Sequence, residues 1–167
     1  MTGKLRTLFS AGLVVAALAL SATTARSDQS QNYWAHLDGY GVTPAVQTGA
    51  QAEALFRLSE DGTRLWYRIT VTDLQDPILA GIHLDGTTDA MVACLYMLVQ
   101  PPPDRSGGVL AEGVITAGDL LGPLAGGSLQ DLANEMNAGN AVIEITTMEH
   151  QPEIAGQIHW TPAPVME

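Results

Sequence analysis

The segment LAGIHLDG, Leu79 to Gly86, carries the side chain best suited to chemistry in this chain. Its histidine, His83, ends an apolar run just before an Asp85-Gly86 turn signal. An imidazole titrates near neutral pH, so it can ligate a metal, move a proton or tie two segments by a hydrogen bond. Metal binding needs company, because a zinc or copper site takes about three or four nitrogen, sulfur or oxygen donors. The donors that could join His83 are Glu144, on a late strand-like run, and Glu149, His150 and Glu153 in the polar segment after it. They can do so only if that late segment folds over His83. A lone histidine in an apolar run more often satisfies a neighbouring strand or loop by hydrogen bonding. The structural role is therefore preferred, and the weak metal candidates are His83, Glu149 and His150. His159 alternates with Ala155 and Gln157, away from an Ile154, Ile158 and Trp160 face, and is read with His36 as exposed.

Other chemistries find no support. There is no Ser-His-Asp set at recognisable spacing, no glycine-rich phosphate loop and no metalloprotease helix. The carboxylates are many, but nothing pairs two of them in a pocket. No catalytic and no cofactor-binding residue is assigned, and no enzyme is expected. The single cysteine, Cys94, cannot form an internal disulfide and reads as a small buried hydrophobe within MVACLYMLV.

The chain begins like an export signal. Lys4 and Arg6 precede an apolar run, Leu8 to Leu20, that is too short to span a bilayer comfortably. Small residues follow, so cleavage is expected after Ala25 or Ser27, with residues 1–27 as the signal. Beyond it lie four arginines and all eighteen acidic residues, which leaves a net charge of −14. A field of that sign repels phosphate backbones and anionic lipid heads, so neither nucleic acid nor stable membrane insertion is expected. Cations or a basic protein surface suit it better, and acidity also keeps an exported protein soluble.

The elements that must position His83 are strands. Ala52, Ala54, Phe56 and Leu58 alternate with polar neighbours. Ser59 to Thr63 then makes an Asp-Gly hairpin turn, and Leu65, Tyr67, Ile69 and Val71 alternate again. Ile78 to Leu84 places Leu79, Gly81 and His83 on one face. Met91 to Val99 is almost wholly apolar and reads as a central strand covered on both sides. Pro101 to Pro103 with Gly107-Gly108 reads as an exposed loop, and Val109 to Ile115 resumes strand. Ser128 with Asp131 has capping-box spacing for a short helix near 128–137, with Leu129, Leu132 and Met136 buried and Asn137-Ala138-Gly139 as its end. Ala141 to Thr147 and Ile154 to Trp160 complete the strands, and the tail 161–167, with two prolines, reads as flexible. The fold class is mainly β, an antiparallel Greek-key-like sandwich or barrel with one short helix.

Taken in order, these segments resemble the CHRD (chordin-type) domain, in its single-domain exported form. The resemblance rests on LFRLSEDGTRLWYRITVTDL, Leu55 to Leu74, on AGIH, Ala80 to His83, on GNAVIEITT, Gly139 to Thr147, and on PEIAGQI, Pro152 to Ile158. It implies a β domain over 28–160. The family usually has Ala-His-Ile-His where this chain has Ala-Gly-Ile-His, and Asn-Val-His-Thr where this chain ends its late strand. The family's histidines would make a sensible copper or zinc site. Here Gly81 and Thr146 stand at two of those positions, which leaves His83 alone. Glu153 and Gln157 match the family's Glu and Gln, expected to tie the closing strand to its neighbours. The resemblance implies an exported, periplasmic or secreted, non-enzymatic module that binds protein or extracellular matrix, with no cofactor. The alternative is a periplasmic copper- or zinc-binding protein with a reduced histidine site.

Overall fold

Alternation in the sequence becomes alternation in burial. The computed structural model describes residues 30–85, 90–98 and 107–166. The expected export signal and the Pro101 to Pro103 loop lie outside the described residues. Strand β1 (Gln31–Leu37), β2 (Gln51–Leu58) and β3 (Leu65–Thr72) are joined in register, with Phe56 opposite both Tyr33 and Tyr67. The β2–β3 turn is closed by the Ser59 amide donating to the Arg64 carbonyl at 2.8 Å. Inside that turn the Asp61 carboxylate accepts from the Ser59 hydroxyl and from the Thr63 amide and hydroxyl, which hold its pKa near about 2.

Two antiparallel sheets result. The first has the order β6-β3-β2-β1-β9, with β6 at Gly107–Ile115 and β9 at His159–Thr161. The second has the order β5-β4-β7-β8, with β4 at Pro77–Leu84, β5 at Met91–Met97, β7 at Ala141–Thr147 and β8 at Ile154–Gln157. Their inner faces share one core. Tyr33, Leu37, Phe56 and Ile69 of the first sheet meet Ile82, Leu95, Ile143 and Ile145 of the second. Burial pushes the Tyr33 phenol up to about 12. Helix α1 (Leu129–Ala138) packs against β7 and β9 through Leu129, Leu132, Ala133 and Met136. Ser128 and Asp131 form the expected capping box, and Gly139 ends the helix at φ 75°, where a side chain would be strained.

On one side the sheets nearly join. Asp38, after β1, exchanges amide-to-carbonyl bonds of 3.2 and 3.1 Å with Ala155 of β8. The approach is so close that a Cβ on Gly156 would run into the His36 carbonyl, and one on Gly41 into that of Ala155. On the opposite side no ladder joins β5 to β6 among the described residues, so the fold is a sandwich of two sheets and not a closed barrel.

Several strand expectations are corrected. β5 is an edge strand, not a central one. Its apolar run has three different covers: Ala93 and Leu95 enter the core, Val92 is buried where Leu120 and Leu121 bond along the open edge, and Met91 lies against Gly81. Gly107 and Gly108 belong to β6, paired with Thr72 and Val71, instead of a loop. The single run read from Ile154 to Trp160 is two strands, because the chain leaves one sheet for the other at Ile158. Ala155 is buried on the outer-face row of the second sheet, beside Glu144, where it also bonds to Asp38, and Trp160 is exposed on the edge strand of the first sheet. Tyr67 is half-buried, with its hydroxyl donating to the Leu95 carbonyl at 2.8 Å across the sandwich.

Phe56 fills the middle of this core with no exposed surface. Phe56→Ala is expected to lower the unfolding free energy by about 3–5 kcal/mol, measured by denaturant titration. A loss below about 1 kcal/mol would place its ring outside the core.

Candidate functional site

His83 sits on the outer face of the second sheet, near the start of neighbouring β7. Its side chain is 17% exposed, and its Nε2 lies 3.9 Å from a carboxylate oxygen of Glu144. Pairing places Gly81 between Glu144 and Cys94, so the position where the family's other histidine would stand is on the same face. That position is filled from the side. A Cβ on Gly81 would lie 3.1 Å from both Cγ and Sδ of Met91. Thr146 pairs with Leu79, whereas His83 pairs with Val142, four residues back along β7. At about 3.3 Å per residue that is about 13 Å. One imidazole with one carboxylate does not make the three- or four-donor set of a zinc or copper centre. Among the described residues, no group of three or more His, Cys, Asp and Glu side chains could hold a metal ion. Cys94 is half-buried on this face, not enclosed, and its thiol lies 3.6 Å from the Tyr96 carbonyl.

The late loop is at the other end of β7. Glu149 is exposed, and His150 turns to the Glu153 carboxylate, with Nδ1 at 3.9 Å. The structure thus does not bring Glu149 or His150 to His83. Glu153 is buried in a different role. One carboxylate oxygen accepts from the Thr48 hydroxyl at 2.6 Å and the other from the Thr147 hydroxyl at 2.7 Å. Thr48 precedes β2 in the first sheet and Thr147 ends β7 in the second, so one side chain clamps both. Gln157 ties its strand through the Ala141 carbonyl at 2.7 Å, as expected. Glu153 binds hydroxyls instead of backbone. His36, beside Asp38 at 4.0 Å, and His159, 5.9 Å from the Trp34 ring, are exposed as expected.

The most distinctive surface lies on the outer face of the first sheet, and it holds residues that sequence reasoning passed over. Strand pairing lines up His159, Trp34, Leu55, Arg68 and Glu112 in one row across the sheet. The next row runs Thr161, Asn32, Arg57, Trp66 and Val114. Arg68 is neutralised by Glu112, with nitrogens 2.9 and 3.0 Å from one oxygen. Arg57 instead lies over the Trp66 ring, its guanidinium carbon 4.7 Å from the centroid. Its Nη1 donates to the Met166 carbonyl at 3.3 Å, which holds the tail across this face, and its buried Nε meets no acceptor. Grooves of about 440 and 420 Å³ flank the stack, and Arg57 and Trp66 line both. The signal available in sequence was placement: Arg57, Arg64 and Arg68, three of the four arginines beyond residue 27, share one hairpin.

Two open antiparallel sheets, crossed by the chain between hairpins and capped by one helix, define a mainly β sandwich. The CHRD domain model matches residues 33–158, most of the chain, and the protein belongs to that family. No curated protein and no solved structure matches it. Among the described residues no helix is long and apolar enough to cross a membrane.

The clamp can be tested directly. Glu153→Ala is expected to cost about 2–4 kcal/mol, since it strands two hydroxyls that now donate to a carboxylate. Glu153→Gln, which keeps an acceptor, should cost less than half as much in the same denaturant titration. Equal losses would show that the carboxylate's hydrogen bonds do not stabilise the fold.

Proposed function

We propose that this CHRD-domain protein is an exported, non-enzymatic binding module, and that it meets a protein or matrix partner through the outer face of its five-stranded sheet. The observation that carries the reading is a contrast of charge. Beyond residue 27 the chain carries −14, yet all three described arginines lie on the outer side of one hairpin. They stand there with Trp34 and Trp66, both partly exposed. Arginine and tryptophan are the side chains that most often dominate binding energy, because they join a large apolar area to directed donors. The groups that could do chemistry are dispersed by contrast. His83 has one carboxylate neighbour, and Glu153 is occupied by two hydroxyls. Export is supported by the charged, apolar and small-residue order of the first 27 residues.

Site-specific photo-crosslinking in cells tests this. A benzoylphenylalanine at Val114, exposed on the proposed face, should give a discrete crosslinked species in the periplasmic or secreted fraction. The same group at Met148, exposed on the late loop, should not. Mass spectrometry of the product should show a chain that starts after residue 25 or 27. Crosslinks from Met148 alone, or an intact Met1 in the cytoplasm, would contradict the reading.

A further inference from the structure

The Arg57–Trp66 stack defines a ligand chemistry that goes beyond a contact face, and the inference rests on the reading above. Arg57 is a cation with one planar face on an indole and no ion pair among the described residues. Its Nη1 bond to the Met166 carbonyl is long, at 3.3 Å, and goes to a neutral acceptor. Its Nε is buried without an acceptor, and Oδ1 of the cross-strand neighbour Asn32 is buried without a donor. A buried donor left unmade is costly, and a guanidinium matched to a carboxylate forms two parallel, charge-assisted bonds. The present occupant is a stretch of this chain itself. After β9 the tail reaches Met166, which lines the larger groove and puts a neutral backbone carbonyl on the cation.

We propose that the larger groove beside Arg57 binds an acidic segment of a partner polypeptide, with a carboxylate on the Arg57 guanidinium, and that the tail 162–166 is the weaker occupant it displaces. Two features select a peptide. A stretch of polypeptide backbone, at Met166, already lies in the larger groove. Such a backbone also offers N–H groups for an acceptor like Asn32 Oδ1 beside the acceptor that Arg57 requires. Charge selects an acidic one. The rest of this protein repels anions, and the smaller groove is lined by Glu60 and Asp61, so an acidic segment is held only in the larger groove, where Arg57 and Arg68 face Glu112 alone, and its binding weakens with salt.

The test uses the mature protein, a glutamate decapeptide, a glutamine decapeptide and polygalacturonate, followed by the Arg57 Nε–H resonance and by tryptophan fluorescence. The glutamate peptide should bind and shift the Arg57 resonance, and the glutamine peptide should not. Arg57→Gln should weaken binding about tenfold or more. Gln151→Glu makes the same change in net charge on the exposed late loop, outside both grooves, and should leave affinity within about twofold. Truncation after Thr161, which keeps β9, should strengthen binding. Dispersed amide spectra establish that each variant is folded, and Arg57→Lys, which keeps the charge but not the fork, should fall between wild type and Arg57→Gln. Glutamate-peptide binding that survives Arg57→Gln, or is unchanged by the truncation, overturns the proposal. So does binding of polygalacturonate without the peptide. Crosslinking from Val114 with no peptide binding would leave the contact face standing and remove this ligand chemistry alone.

Discussion

The sandwich depends on a buried carboxylate. Glu153 lies at the one side where the two sheets come together, and it accepts from a hydroxyl of each. Removing a carboxylate from water is costly unless its oxygens are satisfied, and here both are. The clamp acts beside the Asp38–Ala155 bridge and the tight passage at Gly156, so the corner is held by backbone and side chain together. Once the corner is set, the register of β1 against β2 and of β7 against β8 follows from the pleat, and each inward set of side chains meets the other. Among the described residues the opposite side has no carboxylate clamp. There Tyr67 spans the gap to Leu95, and the Leu120–Leu121 segment covers the edge of β5.

That asymmetry separates the two outer faces. The outer face of the second sheet has lost its small space at Gly81 to Met91, and its histidine is left with one carboxylate. The outer face of the first sheet is the broader one, five strands wide, and it carries the described arginines and two tryptophans. A rigid sheet is a good platform for such groups, because their Cα positions are fixed by pairing and only side-chain freedom is lost on binding. The face is a by-product of the same alternation that builds the core: Phe56 points inward because Leu55 and Arg57 point outward.

Much of the fold was legible, and for identifiable reasons. The β2–β3 hairpin announces itself by a period of two on both sides of an Asp-Gly turn, and α1 by Ser128, Asp131 and Gly139. Both are local signals. What was not legible depends on distant partners. Whether Met91 to Met97 is central or edge is set by Leu120 and Leu121, far along the chain, and an apolar run looks the same in either case. The break at Ile158 has no proline or turn residue, because the chain changes sheets while remaining extended. The site was legible only in its negative half. The distance between His83 and the late loop follows from β7 pairing along β4 in one register, which no spacing announces. Arg57 went unnoticed because an arginine on the polar side of a strand reads as solvated surface; its stack on Trp66 and its contact with Met166 exist only once the hairpin is paired and the tail is laid down.

The central claim is that this domain meets its partner through the outer face of the five-stranded sheet and not through the face that carries His83. Hydroxyl-radical footprinting of the exported protein on intact cells, compared with the purified protein, measures this side chain by side chain. The account predicts reduced oxidation at Trp34 and Trp66, with Met91, Cys94 and Met148 unchanged. Protection confined to His83, Met91 and Cys94, with Trp66 as reactive on cells as in isolation, would contradict it.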